Sequence, residues 1–224
     1  MTPLLWPCPQ AHLGAGEEYA LVCDRGRARR LLIVPALFDE ANRLRRFTVE
    51  VMRRLDRAGV DTFLPDFPGT NESPRNLCDQ DADSWRAAMT LAAEHFGATH
   101  VLALRGGRLF APVGLPSWHY APVKGASILR SMVRARVLAS REAGREEARE
   151  ILTEMAHREG VVLAGYSLGA ALFGDLETRE PDPSAAMIAQ DQLGGSGLWL
   201  RAEPDEDAAQ ADALAALLIA GLGA

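Results

Sequence analysis

The sequence predicts an α/β fold: one mostly parallel, doubly wound sheet flanked by helices. Three observations carry that prediction. Short apolar runs at 31–38, 61–67 and 100–104 have the length and composition of strands buried on both faces. Helix-periodic stretches at 42–58 and 81–95 separate them, the alternation that builds parallel sheets. The apolar runs end in loops rich in Pro, Gly, Asn and Asp, at the edge where open α/β sheets collect ligands.

Taken in order, 18–24 reads as a strand and Arg25-Gly26-Arg27 as its turn. The helix at 42–58 places Leu44, Phe47, Val51 and Leu55 on one side and arginines on the other, and Gly59 stops it. The strand at 61–67 runs into the turn Pro68-Gly69-Thr70-Asn71, and the helix at 81–95 has Asp83 or Ser84 available as its cap. After the strand at 100–104, residues 106–122 are irregular, with a short strand at 118–121. The longest helical region, 125–157, breaks near Gly144 and is dense in Arg/Glu pairs. A strand at 161–164 and a helix at 170–177 bracket Gly165-Tyr166-Ser167-Leu168-Gly169. A polar turn around Pro181 and Pro183, a strand at 197–201 and a helix at 207–222 complete a single domain over 1–224.

Composition narrows the function classes. A net charge of −6 over 224 residues, with Lys124 the only lysine, argues against a nucleic-acid-binding role. Cys8, Cys23 and Cys78 are widely spaced and form no C-x-x-C pattern, so neither a disulfide framework nor a metal site is implied, and no cofactor motif is present. The first residues lack a basic leader, and no apolar run reaches the roughly 18 residues of a membrane span. The expectation is a cytoplasmic protein whose partner is a small anionic or ester ligand; oligomeric state leaves no signal.

The segment 165–169 is a literal G-x-S-x-G, the pattern of a nucleophile elbow, in which a serine sits on a tight strand-to-helix turn. A triad would take Ser167 as nucleophile, Asp205 or Asp191 as acid and a histidine as base. His12, His95, His100, His119 and His157 all precede Ser167, the reverse of the usual order, which leaves His157 as the base for that reading. The competing reading makes Gly165, Gly169 and Gly174 turn and close-packing glycines. A second elbow-like segment, Ala103-Leu104-Arg105-Gly106-Gly107, follows the strand at 100–104 with small residues in the right places and Arg105 in the nucleophile position. Arginine cannot attack a carbonyl, but its planar fork binds carboxylate or phosphate. Asp39, Glu40 and Asn42 after one strand, and Asp66 after the next, face the same edge as ligand-binding candidates or as arginine partners and loop braces.

The set PALFDEANRLRR (35–46), LPDFPGTNES (64–73), ALRGG (103–107), WHYAPVKGASILRSMVRAR (118–136) and LAGYSL (163–168) resembles the exosortase A system-associated hydrolases, over about residues 18–200. The resemblance implies an α/β-hydrolase-like fold, cut short at its C-terminal end, and an accessory role in bacterial exopolysaccharide or envelope metabolism. It also implies arginine at the elbow, matching Arg105, and a variable position at Ser167. Three functions stand on these residues: a ligand-binding protein with a degenerate catalytic site, a serine esterase or thioesterase using Ser167, and a partner-binding protein using the arginine-rich helix at 127–149.

Overall fold

The computed structural model describes residues 1–10, 14–180, 183 and 185–223. His12 and Pro181 lie outside the described residues. The described strands β1 (Thr2–Pro7), β2 (Glu17–Cys23), β3 (Arg30–Val34), β4 (Asp61–Pro65), β5 (His100–Leu104), β6 (Ser117–Tyr120) and β9 (Ala186–Ile188) form one sheet in the order β1-β2-β4-β3-β5-β6-β9. A separate hairpin pairs β7 (Val161–Leu163) with β8 (Tyr166–Leu168). The five strands from β4 to β9 are parallel; β1 and β2 run antiparallel at one edge.

Strand alternation divides the core into two layers. Leu31, Ile33, Leu64, Leu102 and Leu104 face helices α1 (Asp39–Arg57) and α6 (Ala208–Gly221). Leu32, Val34, Phe63, Val101 and Ala103 face α2 (Ala82–His95), α3 (Gly125–Glu142), α4 (Arg149–Glu159) and α5 (Ala170–Thr178). The apolar runs are buried on both sides, as a parallel sheet between two helix layers requires.

Chain order places the crevice. From β3 the chain moves to β4 on one side and then crosses to β5 on the other, so the carboxyl ends of β3 and β5 form a topological switch point. The turn after β5 is not followed by a full helix but by a 3₁₀ segment, Arg105–Phe110. A Cβ on Gly107 would lie 2.1 Å from the Pro35 carbonyl oxygen, so a glycine is required for the β5 turn to press against the β3 turn.

Several expectations change. β1 carries Pro3 and Pro7, which a sheet tolerates on an edge strand but which disguise the strand in sequence. The cap of α2 is Asp81, whose carboxylate accepts from the Ser84 amide while the Ser84 hydroxyl accepts from the Asp81 amide; neither Asp83 nor Ser84 is the cap itself. The segment 197–201 contains a 3₁₀ turn, Leu198–Leu200, and the outer parallel strand is β9 instead.

The largest change concerns the G-x-S-x-G stretch. Ala164 and Gly165 both have positive φ, 49° and 84°, the conformation of a tight two-residue hairpin turn. The chain therefore doubles back before Ser167. Ser167 lies in β8 opposite Val162, exposed, instead of at a strand-to-helix elbow. Gly169 is needed for a separate reason: a Cβ there would lie 2.2 Å from the Cys78 carbonyl oxygen, where the hairpin docks on the 77–79 turn. The two glycines of the motif thus serve a turn and a close approach.

Candidate functional site

Arg105 occupies the sharp turn at the end of β5 with φ of 51°, a conformation non-glycine residues rarely adopt. This strain turns the arginine out of the sheet and into a cleft of about 410 Å³ at the switch point. Its side chain is 12% exposed. Nε and Nη2 donate to Glu40 Oε2 and Oε1 at 3.1 and 2.8 Å, a fork-to-fork pair, and Nη1 donates to the Ala121 carbonyl at 2.7 Å. The guanidinium carbon lies 4.0 Å from the centroid of the Trp199 ring, so one face of the fork is covered by indole.

Glu40 and Asp39 come from the first turn of α1, where carboxylates favour the positive end of the helix dipole. Phe38, the residue before them, has φ of 54° and ψ of −132°, so the β3–α1 connection is a second strained turn facing the first. Arg43, one turn further along α1, lines the same cleft and donates to the Trp199 carbonyl at 3.0 Å. Ser127 and Ser131 of α3 line the opposite wall, and Ala164 of the hairpin turn lines the rim.

The hairpin is fastened to this site by Tyr166. Its ring meets Phe38 edge-on at 5.1 Å, and its hydroxyl accepts from Asn42 Nδ2 at 3.3 Å. Burial, together with the neighbouring Asp39 carboxylate, pushes the phenol up to about 12, so it stays protonated at neutral pH. The motif first suggesting a nucleophile is in this structure part of a hairpin that borders the Arg105 cleft through Ala164 alone.

The residues named from sequence separate accordingly. Asp39, Glu40 and Arg105 meet at the cleft, and Asn42 joins it through Tyr166. Asp66 is fully buried under the β4 turn and is not among the lining residues: Oδ1 accepts from Arg45 Nη1 at 3.2 Å and Asn71 Nδ2 at 2.9 Å, and burial raises the carboxyl above its ordinary range. It braces a loop.

The proposed triad members lie with different partners. His157 Nε2 is bound to Glu177 Oε2 at 2.8 Å, with its ring against the edge of Phe173. Asp205 is paired with Arg201 and accepts from the Glu206 amide at 2.7 Å. No hydrogen bond among the described residues links Ser167, His157 and Asp205. The reason is the hairpin turn, which puts Ser167 on an outward-facing strand position. Trp199, Arg43, Ser127 and Ser131 were missed because they are ordinary residues in loops and helix faces; only the fold brings them to Arg105. Among the described residues no cluster of three or more His, Cys, Asp and Glu could hold a metal.

No family model and no curated protein matches this chain. Solved structures do. Alpha/beta hydrolase domain-containing protein 10 from mouse superimposes with a TM-score of 0.60 at 12% identity, covering 98% of this chain and 98% of that one. The protein Smu.1393c from Streptococcus mutans matches with a TM-score of 0.52 at 12% identity, covering 98% of this chain and 97% of that one. The chain has the α/β-hydrolase fold, with arginine at the turn after β5. Among the described residues no helix is long and apolar enough to cross a membrane.

Proposed function

We propose that this protein binds a small ligand bearing a carboxylate, phosphate or ester in the Arg105 cleft, and that it does not hydrolyse esters through Ser167. The observation that carries this reading is Arg105 itself. The strained turn at the switch point is the place where a hydrolase of this fold presents its nucleophile, and here it presents a guanidinium. Three of the five donors of the fork are engaged by Glu40 and Ala121, which leaves two for a ligand oxygen. Asp39, Arg43, Ser127 and Ser131 supply further polar contacts around it. The likeness of five segments to the exosortase A system-associated hydrolases supports an accessory role in exopolysaccharide or envelope metabolism, in a reducing cytoplasm where three free cysteines are at home.

The test compares wild type with Arg105→Gln and Ser167→Ala. Labelling by a fluorophosphonate probe should be absent from wild type, and acyl esters should not turn over. Small carboxylates and phosphate esters should raise the thermal midpoint of wild type and of the Ser167 variant, but not of the Arg105 variant. A stoichiometric fluorophosphonate adduct that disappears in Ser167→Ala would overturn the reading.

A further inference from the structure

The geometry points to a second binding site, on the outer face of α3, for an anionic amphiphile: an acyl chain ending in a phosphate or carboxylate. The chain carries an excess of acid, net −6, and its arginines are mostly paired with carboxylates. The outer face of α3 gathers four, at one groove, that are not. Arg130, Arg134 and Arg141 stand along it at helical spacing, and Arg149 reaches the same place from the start of α4. Among the described residues none of these four is in an ion pair; Arg130 donates only to the Ser127 hydroxyl, at 2.8 Å.

The four arginines border a groove of about 640 Å³ with an apolar floor that includes Val137 and Leu138, and no acidic residue lines it. Leu138 is 56% exposed and stands between Arg134 and Arg141 on α3. The size lies within the range of small-molecule sites. The two halves of the lining ask for different chemistry: the apolar floor for methylene groups, and the unpaired guanidiniums for an oxyanion. An anionic amphiphile meets both demands in one molecule, whereas a free inorganic anion leaves Leu138 in water. Ser131 lines both this groove and the Arg105 cleft, so the two adjoin at that residue of α3. The inference does not depend on what the Arg105 cleft binds.

The experiment titrates the full chain with dodecyl phosphate below its micelle concentration, using calorimetry, and compares inorganic phosphate and dodecanol. Wild type should bind dodecyl phosphate at least about tenfold more tightly than either, the loss expected on removing the chain or the charge. Arg134→Gln/Arg141→Gln and, separately, Leu138→Glu should each weaken binding about tenfold or more. Arg158→Gln, on α4 outside the groove, should match wild type, and circular dichroism confirms that each variant is folded. Co-sedimentation with phosphatidylcholine vesicles, with and without phosphatidylserine, distinguishes the source. Binding of the monomer supports the site, and binding of anionic vesicles without binding of the monomer would overturn it. The site is refuted if the groove variants bind dodecyl phosphate as wild type does, if inorganic phosphate binds equally well, or if only an acidic peptide such as oligoglutamate binds.

Discussion

Arg105 and Glu40 close a two-bond fork across the switch point of the sheet, joining the turn after β5 to the first turn of α1. Their side chains are largely screened from water, and each is the other's main counter-charge. Removing one partner leaves a partly buried ion behind, so Arg105→Met and Glu40→Ala should each destabilise by about 1–3 kcal/mol. The double variant should lose less than the sum. Urea unfolding of the four proteins as a double-mutant cycle measures the coupling; strict additivity would show that the pair contributes nothing.

The turn that carries Arg105 is strained independently of its charge. Arg105→Gly and Arg105→Ala both delete the fork, but only glycine relaxes at φ of 51°. The glycine variant should therefore be the more stable of the two by about 1 kcal/mol, read as a higher urea midpoint. Equal midpoints would mean that the turn costs nothing.

Ser167 and its flanking glycines should separate in a stability assay. Ser167→Ala, at an exposed position, should fall within about 0.5 kcal/mol of wild type. Gly165→Ala should lose about 1 kcal/mol through backbone conformation alone, because nothing lies within 4 Å of the added methyl. Gly169→Ala forces a methyl toward the Cys78 carbonyl oxygen and should cost about 1–3 kcal/mol. Thermal unfolding ranks the three; a Gly165 variant as stable as Ser167→Ala would mean that the turn at 164–165 does not require glycine.

Asp66 predicts the direction of a pH effect. Burial raises its carboxyl in the folded state, so the folded protein holds this proton more tightly than the unfolded chain. The stabilisation is fully present below the ordinary value of 3.8 and is lost as pH rises from there through the raised folded value. Wild type should therefore lose stability relative to Asp66→Asn over that interval, measured as the difference between their unfolding free energies against pH. Parallel curves would contradict it. Glu147 runs the other way: its Arg136 and Ser140 hydrogen bonds hold it down near about 2, so its contribution is present above its ordinary 4.5 and fades as pH falls toward that lower value.

Tyr166 tests whether the hairpin is a fixed wall. Tyr166→Phe removes one hydrogen bond from Asn42 and should cost about 0.5–1.5 kcal/mol. Tyr166→Ala also removes the packing on Phe38 and should cost about 2–4 kcal/mol, while raising the protease sensitivity of residues near 164. Unchanged proteolysis would mean that the hairpin is held elsewhere.

Much of the fold was legible because a strand buried on two faces has a composition that little else shares. The runs that became β3, β4 and β5 are of this kind, and α1 and α2 announce themselves by periodicity. β1 was hidden by its prolines, and β9 by its brevity. At the site, Arg105, Glu40 and Asp39 were legible because Arg105 directly follows a buried strand and the two acids directly follow the apolar run at 31–38. Trp199 was not, since it arrives from nearly a hundred residues away and touches Arg105 through tertiary structure alone. The G-x-S-x-G segment was misleading for a local reason. Ala164 adopts positive φ, which sequence does not favour for alanine, and together with Gly165 it converts an elbow into a hairpin.

The bend after β5 holds its guanidinium on a backbone at φ of 51°, a mounting set by the glycines that follow and not by the group mounted on it. For an enzyme designer, Arg105→Ser would begin with the hardest backbone feature already in place, and the remaining work would be to supply an imidazole within reach.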